Sequence, residues 1–436
     1  MNCAYFTIGL NWPEMPGADE PDLANVTMSC GETIFTRIID TESQSTRNYF
    51  TTSALKLGFW FAKNFWRLRW ESLANPNMRS ITWRLRHEMS SISGGILWPP
   101  IMIYSAGQRV VFAPIGKEQV PGPQQYVEPF VTSVSGHNYE IQLDQMFDTI
   151  ARKCTNLADG RTFKTLLEQL NAERADVDVA AWRRLEARLG YDPDEAPDEV
   201  MNGLIEFEAV VGDEGVEEAA AAVPGHEAVK SLSEAINSAR HSEVDLGLDI
   251  LSHVQIPKDD IVRRTPWQLA EEAAEMVREI VNLNHRPILN KKLADILGTS
   301  VKNISAPIHP DRPLRYAAAL KRANGRLGVA SIAHPGKNRR YELARTLGDA
   351  IWTRGADFGV ISQSRTDRQK FQRAFARSLL CPFEDLRNIV DESDPTEAQI
   401  DHASKHFHVH ENVVKSVLVY KGVLPNMSFE DRLEAA

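Results

Sequence analysis

The chain has 436 residues, more than one hydrophobic core ordinarily serves, so two or three domains are expected. Its 43% apolar and 25% charged residues are the balance of a globular protein and exclude disordered, collagen-like and coiled-coil classes. A net charge of −10 argues against a protein that coats nucleic acid.

No apolar run reaches the about 18 residues that a membrane-spanning helix needs. The opening stretch MNCAYFTIGLNWPEMP lacks a basic segment followed by a sustained apolar one, so a cytoplasmic location and no membrane partner are expected. Cys3, Cys30, Cys154 and Cys381 lie far apart without a CxxC pair, which points to free thiols and not to a zinc knuckle or disulfide framework.

Taken in chain order, residues 1–142 read as a Trp-rich mixed α/β domain. Extended runs are expected at Glu32–Ile39, Arg109–Ala113 and Tyr139–Gln142, around a helical pattern over Ala54–Trp70 with Ser53 as N-cap. Trp60, Trp66, Trp70, Trp83 and Trp98 alternate with Lys56, Lys63, Arg67, Arg69, Arg84 and Arg86. Such interleaving suits either a base-stacking surface or, as helical spacing favours, a core with guanidinium groups on the ring edges. The tripeptide Arg86-His87-Glu88 has no second histidine at the zinc-motif spacing and carries no metal reading.

Residues 143–223 form an acidic helical domain, with helices over Gln142–Cys154, Gly160–Glu173 and Ala180–Leu189 and Gly190 as a C-cap. Periodicity weakens over 224–264, which reads as a linker or boundary. Residues 265–426 then form the last domain. Thr265-Pro266 opens a helix reaching about Leu283, a second carries Leu289, Leu293, Ile296 and Leu297 and stops at Gly298, and Leu314–Arg322, Arg326–Ile332 and Arg340–Trp352 read as helix, strand and helix. The fold class is therefore α+β, predominantly helical.

Three segments in this last domain carry a resemblance: PILNKKLADILGTS, RRYELARTLGDAIW, and RQKFQRAFARSLLCP followed by FHVHENVVKSVLVYKGVL. Together they resemble the ImmA/IrrE metallopeptidase family, over about the last 160 residues. The resemblance implies a minimal zincin-like domain, with an active-site helix bearing HExxH and a metal-ligand glutamate on a later helix. In that motif two histidines four apart share one helix face and one zinc, and the glutamate activates the bound water.

Here Arg345-Thr346-Leu347-Gly348-Asp349 stands in place of HExxH. Arginine keeps its proton and cannot ligate, and threonine cannot act as a carboxylate base. The segment 367–373 offers only Asp367 where a third ligand belongs. Arg345 and Asp349 are spaced for an (i, i+4) ion pair, which either fills the vacated metal site or lies idle at the surface.

Other candidates remain open. DHASKHFHVHE brings His402 and His406 to helical spacing, with His408, His410 and Glu411 close behind, a weak metal constellation. Between Asp311 and Arg377 fifteen Lys/Arg face five Asp/Glu, a balance of +10. Within it Arg365, Arg368, Lys370 and Arg373 form an interaction candidate, either a solvated helix face or a track for an acidic partner. Helices over Glu397–His406 and Glu411–Lys421 also have a helix-turn-helix layout.

The reading that follows is a non-catalytic regulatory or protein-interaction protein of a bacterial stress or mobile-element response, with no cofactor. Its partner would be a protein, such as a transcriptional repressor or a toxin-like protein. The alternatives are an active zinc metallo-endopeptidase with non-standard ligands that cleaves a repressor, and a DNA-binding regulator. Nucleic acid is not the favoured partner, because the second terminal helix offers only Lys415 and Lys421.

Overall fold

The computed structural model describes residues 5–13, 22–73, 80–92, 95–116, 122–257, 260–261, 264–283, 286–305 and 313–425. The chain divides into two compact units that part at Ala196 and Pro197. Helices dominate, with four small antiparallel sheets among the described residues. No described helix is long and apolar enough to cross a membrane.

The first unit opens on β1 (Phe6–Asn11), β2 (Leu23–Cys30), β3 (Thr33–Ile34), β4 (Ile38–Asp40), β5 (Ser45–Arg47) and β6 (Phe50–Ser53). Ala24, Val26, Met28 and Cys30 are buried at alternate positions of β2, so one face of the β1–β2–β3 sheet, with β6 on β2, meets the core. Ser53 caps α1 (Ala54–Lys63) by accepting from the Lys56 amide at 3.1 Å. The helical pattern is interrupted at Asn64 and resumes as α2 (Phe65–Trp70), with α3 (Ile81–His87) after it. The strands β7 (Ile101–Ser105), β8 (Arg109–Pro114), β9 (Gln124–Tyr126) and β10 (Thr132–Ser135) complete the sheets β10–β8–β7 and β5–β4–β9.

Three helices close the unit: α4 (Gly136–Lys153), α5 (Ala158–Ala175) and α6 (Val177–Arg188). The extended run expected at Tyr139–Gln142 is instead the first turns of α4. Tyr139, Leu143, Met146, Phe147 and Ile150 recur on one helix face and are buried, and that longer period overrides the local β preference. Gly190 has φ of 83°, as its capping role requires.

The Trp-rich segment is core. Trp60, Trp66, Trp83 and Trp98 are buried, and Arg67, Arg69, Arg84 and Arg86 beside them hold carboxylates, while Lys56 and Lys63 are exposed. Arg67 reaches Glu71 at 2.6 and 3.0 Å and Asp192 at 3.1 Å, while Arg69 reaches Glu140 at 2.7 Å. His87 is fully buried, with Nδ1 2.7 Å from the Ile103 carbonyl and Nε2 2.8 Å from Glu71. A base-stacking surface would need these groups turned outward.

The second unit starts with α7 (Asp198–Ile205), α8 (Glu208–Val211), α9 (Asp213–Ala222) and α10 (Glu227–His241), then β11 (Asp245–Leu246). It continues through α11 (Pro266–Ile280), α12 (Asn290–Ile296), α13 (Val301–Ser305), β12 (Ala317–Lys321), β13 (Leu327–Ala330), α14 (Lys337–Trp352) and β14 (Phe358–Ile361). The last helices are α15 (Asp367–Leu380), α16 (Phe383–Leu386), α17 (Glu397–Phe407) and α18 (Glu411–Tyr420). The sheet runs β11–β13–β12–β14. Helix α15 packs against both α11 and α14. Ala270, Ala273 and Ala274 keep the α11 face low, and at Gly348 of α14 a Cβ would lie 2.9 Å from the Phe375 ring, so only glycine permits that approach.

Two expectations differ here. Residues 224–264, read as a linker, carry α10 and β11 and send Val244, Leu246, Leu248, Val254 and Ile256 into the core that α14 and α15 share. Gly225 lies in a turn ahead of α10, and the division between the two units falls earlier, at Ala196 and Pro197. Leu314–Arg322, read as helix, contains strand β12, whose alanines lie buried between β13 and β14. Pairing on both sides outweighs the helix preference of alanine.

A fragment starting at residue 265 lacks β11 and α10 and should express as an uncooperative, aggregation-prone species. The fragment 197–425 should melt in one cooperative transition, as circular dichroism and calorimetry of the two will compare.

Candidate functional site: a closed polar centre

Helix α14 presents Glu342, Arg345, Thr346 and Asp349 at intervals of three and four, which places them along one face. All four are buried. Thr366 caps α15, accepting from the Gln369 amide at 3.2 Å, and so aims Arg368, Gln369 and Gln372 at that face.

The residues at the two histidine positions of the resembled motif do come together with α15, as an ion-pair network. Asp349 Oδ1 accepts from Arg368 Nε at 2.6 Å and from Gln372 Nε2 at 2.6 Å, and its Oδ2 accepts from Arg368 Nη2 at 2.8 Å. The bidentate partner of Asp349 is therefore Arg368 on the facing helix, a partner that the spacing did not suggest. A guanidinium fork meeting a carboxylate head-on offers two parallel bonds, and a neighbour one turn away on the same helix cannot align so well. Arg345 Nη2 instead donates to the Ser362 carbonyl at 2.6 Å, Gln369 Oε1 at 2.7 Å and Gln372 Oε1 at 3.2 Å.

A second carboxylate arrives from far upstream. Glu218 of α9 accepts from Thr366 Oγ1 at 2.7 Å and from Gln369 Nε2 at 2.8 Å. Arg345 and Arg368 thus share the site with Asp349 and Glu218, two cations with two anions. Gln369 and Gln372 also donate to the Val360 carbonyl, at 2.7 and 2.9 Å, which ties the centre to β14. At Gly359 of β14 a Cβ would sit 2.5 Å from Asp349 Oδ2, so the strand backbone itself forms one wall.

Burial alone would lower the Arg368 pKa, but the Asp349 carboxylate overrides it and the net shift is upward. Thr346 donates its hydroxyl to the Glu342 carbonyl at 3.1 Å. Burial raises the Glu342 pKa, against the opposing pull of donors from Ser331, Ile332 and Ala333.

The basic run proposed as an interaction surface is largely inside the unit. Arg368 is 6% and Lys370 4% exposed, while Arg365 and Arg373 are half-buried, with Arg373 donating to the Ser364 carbonyl at 3.1 Å. The solvated-face expectation fails because α15 is covered by α11 and α14. His402, His406, His408 and His410 are exposed. His408 adopts the left-handed conformation between α17 and α18, and His410 caps α18 through Nδ1, which accepts from the Asn412 amide at 3.3 Å. Among the described residues no group of three or more His, Cys, Asp or Glu is placed to hold a metal. In the terminal helix pair Lys415 is bound to Glu397 at 2.9 Å and Lys421 to Glu271 at 2.8 Å.

Sequence reasoning missed Glu218, Gln369 and Gln372. Glu218 falls on the buried stripe with Gly215 and Ala219, in phase with Val211, so helical phase marks one acid of the acidic segment as inward-facing. The glutamines carried no such mark. Comparison with known proteins adds no relative: no protein family profile, curated protein or solved structure matches this chain.

Replacing Arg368 by alanine strands a buried carboxylate and should destabilise the second unit by about 3–5 kcal/mol, whereas Asp349→Leu with Arg368→Met together should cost far less. Urea denaturation of the parent and the two variants reads this directly. The raised pKa of Glu342 gives a separate test. The folded state binds its proton more tightly, so its contribution to stability is full below the usual 4.5 and is lost as pH rises through the folded-state value. Glu342→Gln should flatten that decline, as a stability–pH curve against the parent will report.

Proposed function

We propose that this chain is a regulatory binding protein, and that residues 265–426 are a non-catalytic relative of the ImmA/IrrE metallopeptidases with a zincin-like layout. What carries the reading is how Asp349 is engaged: both carboxylate oxygens accept from Arg368, and one also from Gln372, in a buried site. Zinc does not fit such a centre. A metal ligand needs a free lone pair aimed at the ion; Arg345 has none to offer, and three of the about four on Asp349 are taken up, two of them by a guanidinium whose positive charge would repel the metal. Thr346, in the place of the general base, spends its hydroxyl on its own helix.

In this reading the helices that would frame a catalytic cleft are kept as a scaffold, and the protein acts by contact, in the cytoplasm, within a bacterial stress or mobile-element response. Its partner is a protein, a transcriptional repressor or toxin-like protein being the class that the resemblance implies. The ion pairs on Lys415 and Lys421 weigh against nucleic acid as the partner of the terminal helix pair.

Elemental analysis of the purified protein should find well below one equivalent of zinc. A full equivalent that disappears in Asp349→Ala would sink the reading and restore a peptidase with unusual ligands. One that disappears only in His402→Ala with His406→Ala would move the metal to α17.

A further inference from the structure

Away from the polar centre, a cleft of about 460 Å³ opens where α11, α15, α16 and α18 meet. One wall is the edge of α11, where Glu271, Glu275 and Glu279 recur every fourth residue and so stand about 6 Å apart along the helix axis. The rings of Phe383 and Tyr420 line it as well.

The chain's own Lys421 shows what this arrangement holds. Its ammonium lies 2.8 Å from Glu271, 5.7 Å from the Phe383 ring centre and 5.4 Å from that of Tyr420. A carboxylate with two aromatic faces is a strong environment for an alkylammonium or guanidinium group. Arg377 repeats the preference, 5.4 Å over Tyr420. Lys421 is ion-paired with the first of the three glutamates. Glu275 and Glu279 are exposed and make no side-chain hydrogen bond or ion pair among the described residues; burial and then like charge from Glu271 raise the Glu275 pKa, and the Lys421 ammonium only partly opposes them.

We propose that this cleft binds a basic segment of a protein partner in extended form, with lysine or arginine side chains on Glu275 and Glu279 beside the Lys421 position. An extended chain places alternate side chains about 6.6 Å apart, close to the spacing of the α11 carboxylates, so every second residue of the segment would be basic. This spacing favours a peptide over a small amine. The inference rests on the reading of the chain as a protein-binding protein and names the chemistry of its partner. Full zinc occupancy would remove the earlier reading and leave this cleft untouched.

Fluorescence anisotropy with the full chain and a labelled peptide of alternating lysine and alanine tests it, with an alternating glutamate and alanine peptide as control. The lysine peptide should bind and the control should not, with affinity falling as salt rises. Glu275→Gln with Glu279→Gln should weaken binding by about tenfold or more, and Glu275→Lys with Glu279→Lys should abolish it. Both pairs are exposed, so an unchanged melting temperature will show the fold intact. Equal binding by parent and variants would overturn the proposal. Displacement of the peptide by spermidine at matching concentration would also overturn it, by making the cleft a small-amine site.

Discussion

The second unit is organised around one pair of charges kept out of water. The side chains of Asp349 and Arg368 are 3% and 7% exposed and meet in a two-point contact, and neither could be buried alone without a penalty of several kcal/mol. The pair fixes the separation and rotation of α14 against α15. Everything nearby follows from satisfying what remains: Gln372 takes a spare lone pair of Asp349, Gln369 links Arg345 to Glu218, and the Val360 carbonyl accepts from both glutamines. Buried polar networks of this kind do little for net stability, but they tolerate few alternative packings.

The fold was legible where a single period ruled. The helices of 143–189, the Thr265-Pro266 start and the Gly298 stop follow from apolar spacing and capping chemistry, which act within a few residues. The failures came where distant partners decided the outcome. Ala317–Lys321 is a strand because β13 and β14 flank it, and Asp245–Leu246 is a strand because it pairs with β13, which comes much later in the chain. No local signal encodes either.

The site divides in the same way. That Arg345 and Asp349 share one helix face followed from spacing, and that Arg345 cannot ligate a metal followed from its chemistry, but that this face is buried did not. Which cation binds Asp349 in two-point fashion did not follow either, because that depends on how α15 packs against α14, a contact between segments distant in the local pattern. Likewise a run of basic residues looks solvated in one dimension. Arg368 and Lys370 became interior only once α11 and α14 covered their helix.

Glu218 joins the centre through Gln369, 151 residues further along the chain. On a ribosome working at about 5–20 residues per second, that separation is a wait of roughly 8–30 s. Throughout it α9 has been made while the groups that satisfy its inward carboxylate have not. The emerging chain therefore carries a half-finished, acid-bearing helix for much of its synthesis. The acidic character of its neighbours, which keeps such a segment hydrated and apart from other nascent chains, serves the protein before it is folded.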